Sequence, residues 1–178
     1  MDGRDLTYNE ARLASEIFQF SVEYSRVKIH AHKHRFFQPR NSGMTPDGQI
    51  YTHGIAVSQD YALDSPDLQS FFVHEMVHVW QKQNGVLNPV WSAIGNSLRH
   101  GFMYSRAYNY NLASGADLLD YRIEQQAQIV EDFFRIKVLK IGPKGSHLQN
   151  EETGDELDKL FVSVLGKFLK NPEYARQK

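Results

Sequence analysis

The sequence predicts an α+β fold, a small antiparallel sheet packed on one side of a helical bundle. Three observations point to it. Apolar residues recur at helical spacing in several separate runs, a shorter run alternates with period two, and clusters of Pro, Gly, Asn and Asp punctuate the chain between them. The 178 residues fit a single domain over 1–178, and a 41% hydrophobic content with 11 Phe, 9 Tyr and 2 Trp provides enough apolar surface for a core.

Thr7 and Glu10 have the form of a capping box, and Leu13, Ile17, Phe18 and Phe20 follow as an apolar stripe, so a helix is expected from about Thr7 to Glu23. Between Arg26 and His34 the pattern alternates. Val27, Ile29 and Ala31 fall on one side and Lys28, His30 and His32 on the other, as in a half-buried strand. Gln38 to Gly48 is dense in turn formers and reads as a loop, and Gln49 to Ser58, broken by Gly54, reads as an edge strand. Ser65 and Pro66 open a helix that runs through Trp80 until Gly85 stops it. A further helix is expected from about Asn88 to His100, followed by a long connection from Gly101 to Gly115. Ile123, Ala127, Val130, Phe133, Phe134 and Val138 then mark an amphipathic helix from about Leu118 to Lys140, ended by Gly142-Pro143. After a linker, Thr153 and Glu156 repeat the capping-box pattern ahead of a last helix that ends near Asn171-Pro172.

Charge and composition exclude several function classes. Lys and Arg number 20 against 21 Asp and Glu, so no global charge draws the chain to nucleic acid or to an anionic membrane. With no cysteine there is no disulfide, thiolate metal site or cysteine nucleophile, and any metal must be held by nitrogen and oxygen. The charged start Met1-Asp-Gly-Arg-Asp lacks the apolar run of a signal peptide, and no apolar stretch approaches the roughly 20 residues of a membrane span. Cytoplasmic synthesis without membrane insertion is the expectation.

His74-Glu-Met-Val-His78 is an HExxH pattern. On a helix the i, i+4 spacing stacks both imidazoles on one face, where they can bind one Zn²⁺, and Glu75 stands beside them as a base for water activated by the metal. The plain alternative is two ordinary histidines on an amphipathic helix. Phe71, Phe72, Val73, Met76, Val77, Val79 and Trp80 weigh against it, because polar groups left without partners among such neighbours are costly.

A catalytic zinc takes three protein ligands and leaves a position open. A metzincin continuation would need Gly at Gln81 and His at Asn84, so the third ligand has to come from another element. Glu124 is the favoured candidate. It lies early in the second amphipathic helix, and Ala127 one turn on is small enough to let two helices approach closely. Glu131, Asp132, Asp120 and Asp117 compete with it.

Hydrolysis of an amide also calls for a donor to the tetrahedral intermediate. Tyr121, one turn before Glu124 on the expected helix, is the candidate, with Tyr104, Tyr108, Tyr110 and His100 as rivals. Gly48 to His53 is placed in sequence to align a substrate backbone. His30, His32 and His34 are read as a solvated strand face in preference to a second metal site, since three histidines on one strand close no tetrahedral geometry.

Phe72-Val-His-Glu-Met-Val-His-Val-Trp-Gln, Tyr121-Arg-Ile-Glu-Gln-Gln-Ala and Val27-Lys-Ile-His together resemble the zincin-type metallopeptidase domain at the C-terminus of some valine-glycine repeat (Vgr) spike proteins of type VI secretion systems, and free-standing Vgr-related proteins. The resemblance covers about residues 20 to 140. It implies a zincin-like fold, Zn²⁺ held by His74, His78 and a third-ligand Glu that matches Glu124, and an antibacterial effector acting in the periplasm of a competing cell. The implied partners are a peptide or protein substrate and a secretion spike or immunity protein. No spike domain is expected within these 178 residues, so travel as a cargo, or service inside the producing cell, stands as an expectation beside spike-borne delivery. The expected reaction is metallopeptidase hydrolysis of an amide bond. A cell-wall amidase would use the same site, and a metal-containing binding or adaptor module would instead close it with a fourth protein ligand.

Overall fold

A computed structural model describes residues 3–34, 38, 40, 42–54, 57–86 and 107–177. The helix expected from about Asn88 to His100, residues 101–106, His100, Tyr104 and Ile55 lie outside the described residues.

The architecture is α+β. Four short strands, β1 (Arg4–Asp5), β2 (Lys28–His30), β3 (Ser42–Met44) and β4 (Ile50–His53), accompany α1 (Tyr8–Phe18), α2 (Pro66–Gln83), α3 (Ile123–Lys137) and α4 (Gly154–Lys170). The sheet order is β1-β2-β4-β3. It is mixed, not antiparallel as expected: Ile29 pairs with Ile50 in parallel, while Arg4 with Ile29 and Gly43 with Thr52 are antiparallel. The chain leaves β2, forms β3 on the outer side and turns back into β4, so β2 and β4 run the same way. β4 is consequently interior, and the outer position belongs to β3, a segment whose Ser-Gly-Met composition reads as loop. Along β4 burial alternates, Ile50 and Thr52 facing inward and Tyr51 and His53 outward, as the pleat requires.

α1 begins at the expected capping box, with Thr7 accepting from the Glu10 amide and Glu10 from the Thr7 amide. It stops at Phe18, because Gln19 adopts φ 50°. Phe20, counted in the inward stripe, is thereby thrown into solvent at 94% exposure. α2 starts with Pro66 in its first turn and ends where Gly85 takes φ 73°, a conformation that suits glycine. Leu118–Asp120 is not the start of α3 but a separate 3₁₀ turn capped by Asp117, and Tyr121 is extended after it. α3 ends at Lys137, which leaves Val138 half exposed. The Thr153–Glu156 box does not form: Thr153 precedes α4 but makes no side-chain cap bond, and Gly154 enters at φ 55°.

The core lies where α2 meets α3 and α4. Ala127 is fully buried, as a close helix approach demands. Trp80 packs edge-on against Phe168 at 5.0 Å, and Phe168 against Phe18 at 6.0 Å, while Trp80 Nε1 donates to Pro172 O at 3.0 Å. Each buried Phe of this cluster contributes about 1.5–3 kcal/mol. α2 is thus held rigidly on its apolar side, and its other side carries the histidines. Among the described residues no helix is long and apolar enough to cross a membrane.

Candidate metal centre

His74 and His78 lie one turn apart on α2, both rings largely buried and 5.1 Å from each other. α3 crosses so that Glu124, in its first turn, meets them. Glu124 Oε2 is 3.6 Å from His74 Nε2 and 3.4 Å from His78 Nε2, and the three candidate ligand atoms all lie within 4.8 Å of one another. Ligand atoms at about 2.0–2.1 Å from one tetrahedral ion would stand about 3.3 Å apart. Glu124 Oε2 is also shut away from solvent with no hydrogen-bond partner, a costly state that a cation at this point relieves. The residues therefore fit a metal ion.

The electrostatics agree. Burial alone would raise the Glu124 carboxyl, but the two imidazoles outweigh it and hold the group well below the usual carboxylate range. Burial alone would lower His74, yet Glu124, Glu131 and Glu75 pull it up to about 10. His78 is raised by Glu124 and Glu75 against burial and the charge of His74. This is a point in the protein that favours positive charge, whether on a ring nitrogen or on an ion.

Outer partners aim both rings. His74 Nδ1 lies 3.0 Å from Glu131 Oε2, and His78 Nδ1 2.8 Å from Gln81 Oε1, so each ring donates through Nδ1 and turns Nε2 to Glu124. Gln81 is itself fixed. Its amide nitrogen donates to Ile123 O and to Gln126 Oε1, both at 3.0 Å, and Gln126 Nε2 donates to Tyr121 O at 2.8 Å. The same residue that orients His78 thus pins the start of α3, which carries Glu124.

Glu75 is buried beside the pair, and Thr45 Oγ1 donates to its Oε2 at 2.6 Å. β3 passes directly over this carboxylate. A Cβ on Gly43 would collide with the Glu75 carboxylate and come within 2.7 Å of Phe71 Cζ, so a larger residue here would have to displace the carboxylate.

No family model matches the sequence. The chain is 38% identical over 136 residues, 74% of its length, to the type VI secretion system spike protein VgrG2b of Pseudomonas aeruginosa, of which it spans only 13%. The solved effector domain of Pseudomonas aeruginosa VgrG2b superposes with a TM-score of 0.67 at 33% sequence identity, covering 83% of this chain and 84% of that one. The chain belongs to the VgrG2b effector-domain family. The similarity is to the effector domain of a type VI secretion spike protein, and the chain spans only a small part of that protein's length.

In this VgrG2b-type domain the other candidates take different places. Glu131 is not at the ligand position but behind His74. Asp132 accepts from Tyr110 Oη at 2.7 Å and from the Lys144 amide at 2.6 Å, and Asp117 and Asp120 cap each other across the 3₁₀ turn. Tyr121 is tied away, donating to Asn111 O at 3.1 Å and accepting from the Ala113 amide at 3.0 Å; with α3 starting two residues later, it does not share a helical face with Glu124. Tyr108 has its ring 5.9 Å from that of His74. His30, His32 and His34 collect around Tyr51 at 4.4, 5.9 and 4.6 Å, and among the described residues His74, His78 and Glu124 form the one group placed to hold a metal. Sequence reasoning missed Thr45, Gln81 and Lys144 as partners of the VgrG2b-type site. Only Gln81 left a trace, as a polar residue in an apolar helix.

Proposed function

We propose that this effector domain is a zinc-dependent hydrolase, a zincin-type metallopeptidase that cleaves amide bonds in a target bacterium. The observation that carries the reading is the buried Glu124 Oε2, without a hydrogen bond and facing two imidazole nitrogens, with Glu75 adjacent. Two nitrogens and one carboxylate oxygen, with no thiolate in the chain, suit zinc, and three ligands correspond to a catalytic site more than to a closed structural one. Zinc, when bound, supplies Lewis acidity that polarises the amide carbonyl and makes water a nucleophile near neutral pH.

The chain's own residues do the rest. Glu75 takes a proton from the attacking water and returns it to the leaving amine. Thr45 holds that carboxylate in one orientation, so its other oxygen, under Gly43, is the one free to exchange the proton. Edge strand β3 is better placed than β4 to align a peptide, since β4 is already paired on both sides. Tyr108, whose ring stands beside His74, replaces Tyr121 as candidate donor to the tetrahedral intermediate. Relation to a spike protein supports delivery to a target cell, and the partners that follow are a peptide or protein substrate, the secretion spike and an immunity protein.

The test is zinc content, and hydrolysis of a mixed library of peptides and peptidoglycan fragments, for wild type and Glu75→Ala. One zinc per chain in both, with hydrolysis reduced about 10²–10⁴-fold in the variant, is expected. Absence of zinc from wild type, or equal hydrolysis by both proteins, would overturn the reading; the library member cut distinguishes a peptidase from a cell-wall amidase.

A further inference from the structure

Glu131 is completely buried, yet its carboxylate is shared between two partners on different elements. One oxygen accepts from His74 at 3.0 Å, and the other from Lys144 Nζ at 2.8 Å. Lys144 belongs to the segment 142–150 between α3 and α4, and its side chain is 42% exposed. Its backbone amide donates at 2.6 Å to the neighbouring Asp132, also fully buried. One residue therefore clasps two adjacent buried carboxylates, with its ammonium on one and its amide on the other.

The rest of the segment is held mainly by polar contacts, with Leu148 its one partly buried apolar side chain packed against the core. None of residues 141–150 is fully buried. Gly142 O accepts from Arg135 Nε at 3.0 Å, the Tyr110 amide donates to His147 O at 3.0 Å, and the Gln149 amide donates to Tyr110 O at 2.9 Å. Segments held this way open at low local cost. A second route to the metal centre runs through neighbouring, tilted rings: His147 stands 5.6 Å from Tyr108, and Tyr108 5.9 Å from His74.

We propose that Lys144 is a positioning residue for the metal centre, and that docking of the 142–150 strap is coupled to metal binding. The inference rests on the metal reading of His74, His78 and Glu124. With the strap docked, Lys144 fixes Glu131 in the orientation that receives His74 Nδ1, and His74 Nε2 is then held on the ion. With the strap released, Glu131 loses the partner of one oxygen and His74 its fixed orientation. Coupling is reciprocal, so an ion that holds His74 in place also favours the docked strap.

Zinc affinity of the metal-free full chain, measured by competition with a chromophoric chelator, tests this. Lys144→Met is expected to bind zinc about 10–100-fold more weakly, the range for loss of an outer partner. Lys144→Arg should recover most of the loss. Lys137→Met, a charge-matched change at the Asp158 ion pair joining α3 to α4, should bind as wild type does. In wild type alone, hydrogen exchange at the Lys144 and Gln149 amides should slow when zinc is added. Unchanged affinity in Lys144→Met, or exchange over 144–149 indifferent to zinc, would overturn the proposal and leave the metal centre standing. A wild type that takes up no zinc would overturn both.

Discussion

Five of the eight histidines stand in two groups, one on α2 and one at the end of β2, and their surroundings differ more than their spacing. His74 and His78 each have Nδ1 engaged by a buried oxygen and face a carboxylate brought in by another helix. His30, His32 and His34 share an aromatic platform, Tyr51, and His32 Nδ1 meets only the neighbouring Lys33 carbonyl, at 3.0 Å. Imidazoles become a ligand set when outer acceptors fix their tautomers and a third donor closes the face. Only His30 of these three lies in β2, and among the described residues no carboxylate closes a ligand face around them.

The largest effect should come from exchanging the two groups in a mutational test. His78→Ala is expected to weaken metal binding by more than about a thousand-fold, since an outer partner alone accounts for about 10–100-fold. The triple variant His30→Ala, His32→Ala, His34→Ala should keep one metal per chain. Metal titration of both proteins checks the contrast, and a triple variant that lost its metal would erase it.

The helix region is also set apart by the carboxylates it buries. Burial, with the charge of Glu131, raises Asp132 from 3.8 to about 6, against the hydrogen bonds from the Lys144 amide and Tyr110. The folded state therefore binds this proton more tightly than the unfolded chain does. The stability it contributes is fully present below about pH 4 and is lost as pH rises through about 6. Relative to Asp132→Asn, wild type should lose up to about 3 kcal/mol across that window. Urea unfolding of both proteins from about pH 4 to about pH 7 reads the difference directly, and a flat difference would mean that Asp132 is not perturbed.

What was legible in the sequence follows the range of the signals. Thr7 with Glu10, Pro66 with Gly85, and His74 with His78 are local patterns within a turn or a helix, and the structure realises them as elements and faces. The crossing of α2 and α3 was readable because small Ala127 sits one turn from Glu124. Partners reached through tertiary pairing left little to read. Thr45 meets Glu75 only because β3 pairs with β4, and Lys144 meets Glu131 only because the 142–150 strap folds back on α3. Helix ends caused the other differences. Phe20 and Val138 fit an apolar stripe that stops before reaching them, and Tyr121 was assigned a helical face that begins two residues later.

The smallest expected effect is the sharpest test of whether the sheet is separate from the metal chemistry. Tyr51 stacks on His30 at 4.4 Å with rings 11° apart, and its hydroxyl donates to Asp47 at 3.2 Å. Tyr51→Leu should cost about 0.5–1.5 kcal/mol from the lost ring contact, measured by urea unfolding, with metal affinity unchanged. The backbone partner of Tyr51 in β3 is Met44, and Gly43 beside it passes over Glu75. The substitution leaves that ladder intact while removing the aromatic platform of His30, His32 and His34. If metal affinity nevertheless fell, the perturbation would have travelled through β3 to Glu75 and its neighbour His74, and the two histidine groups would have to be treated as parts of one site.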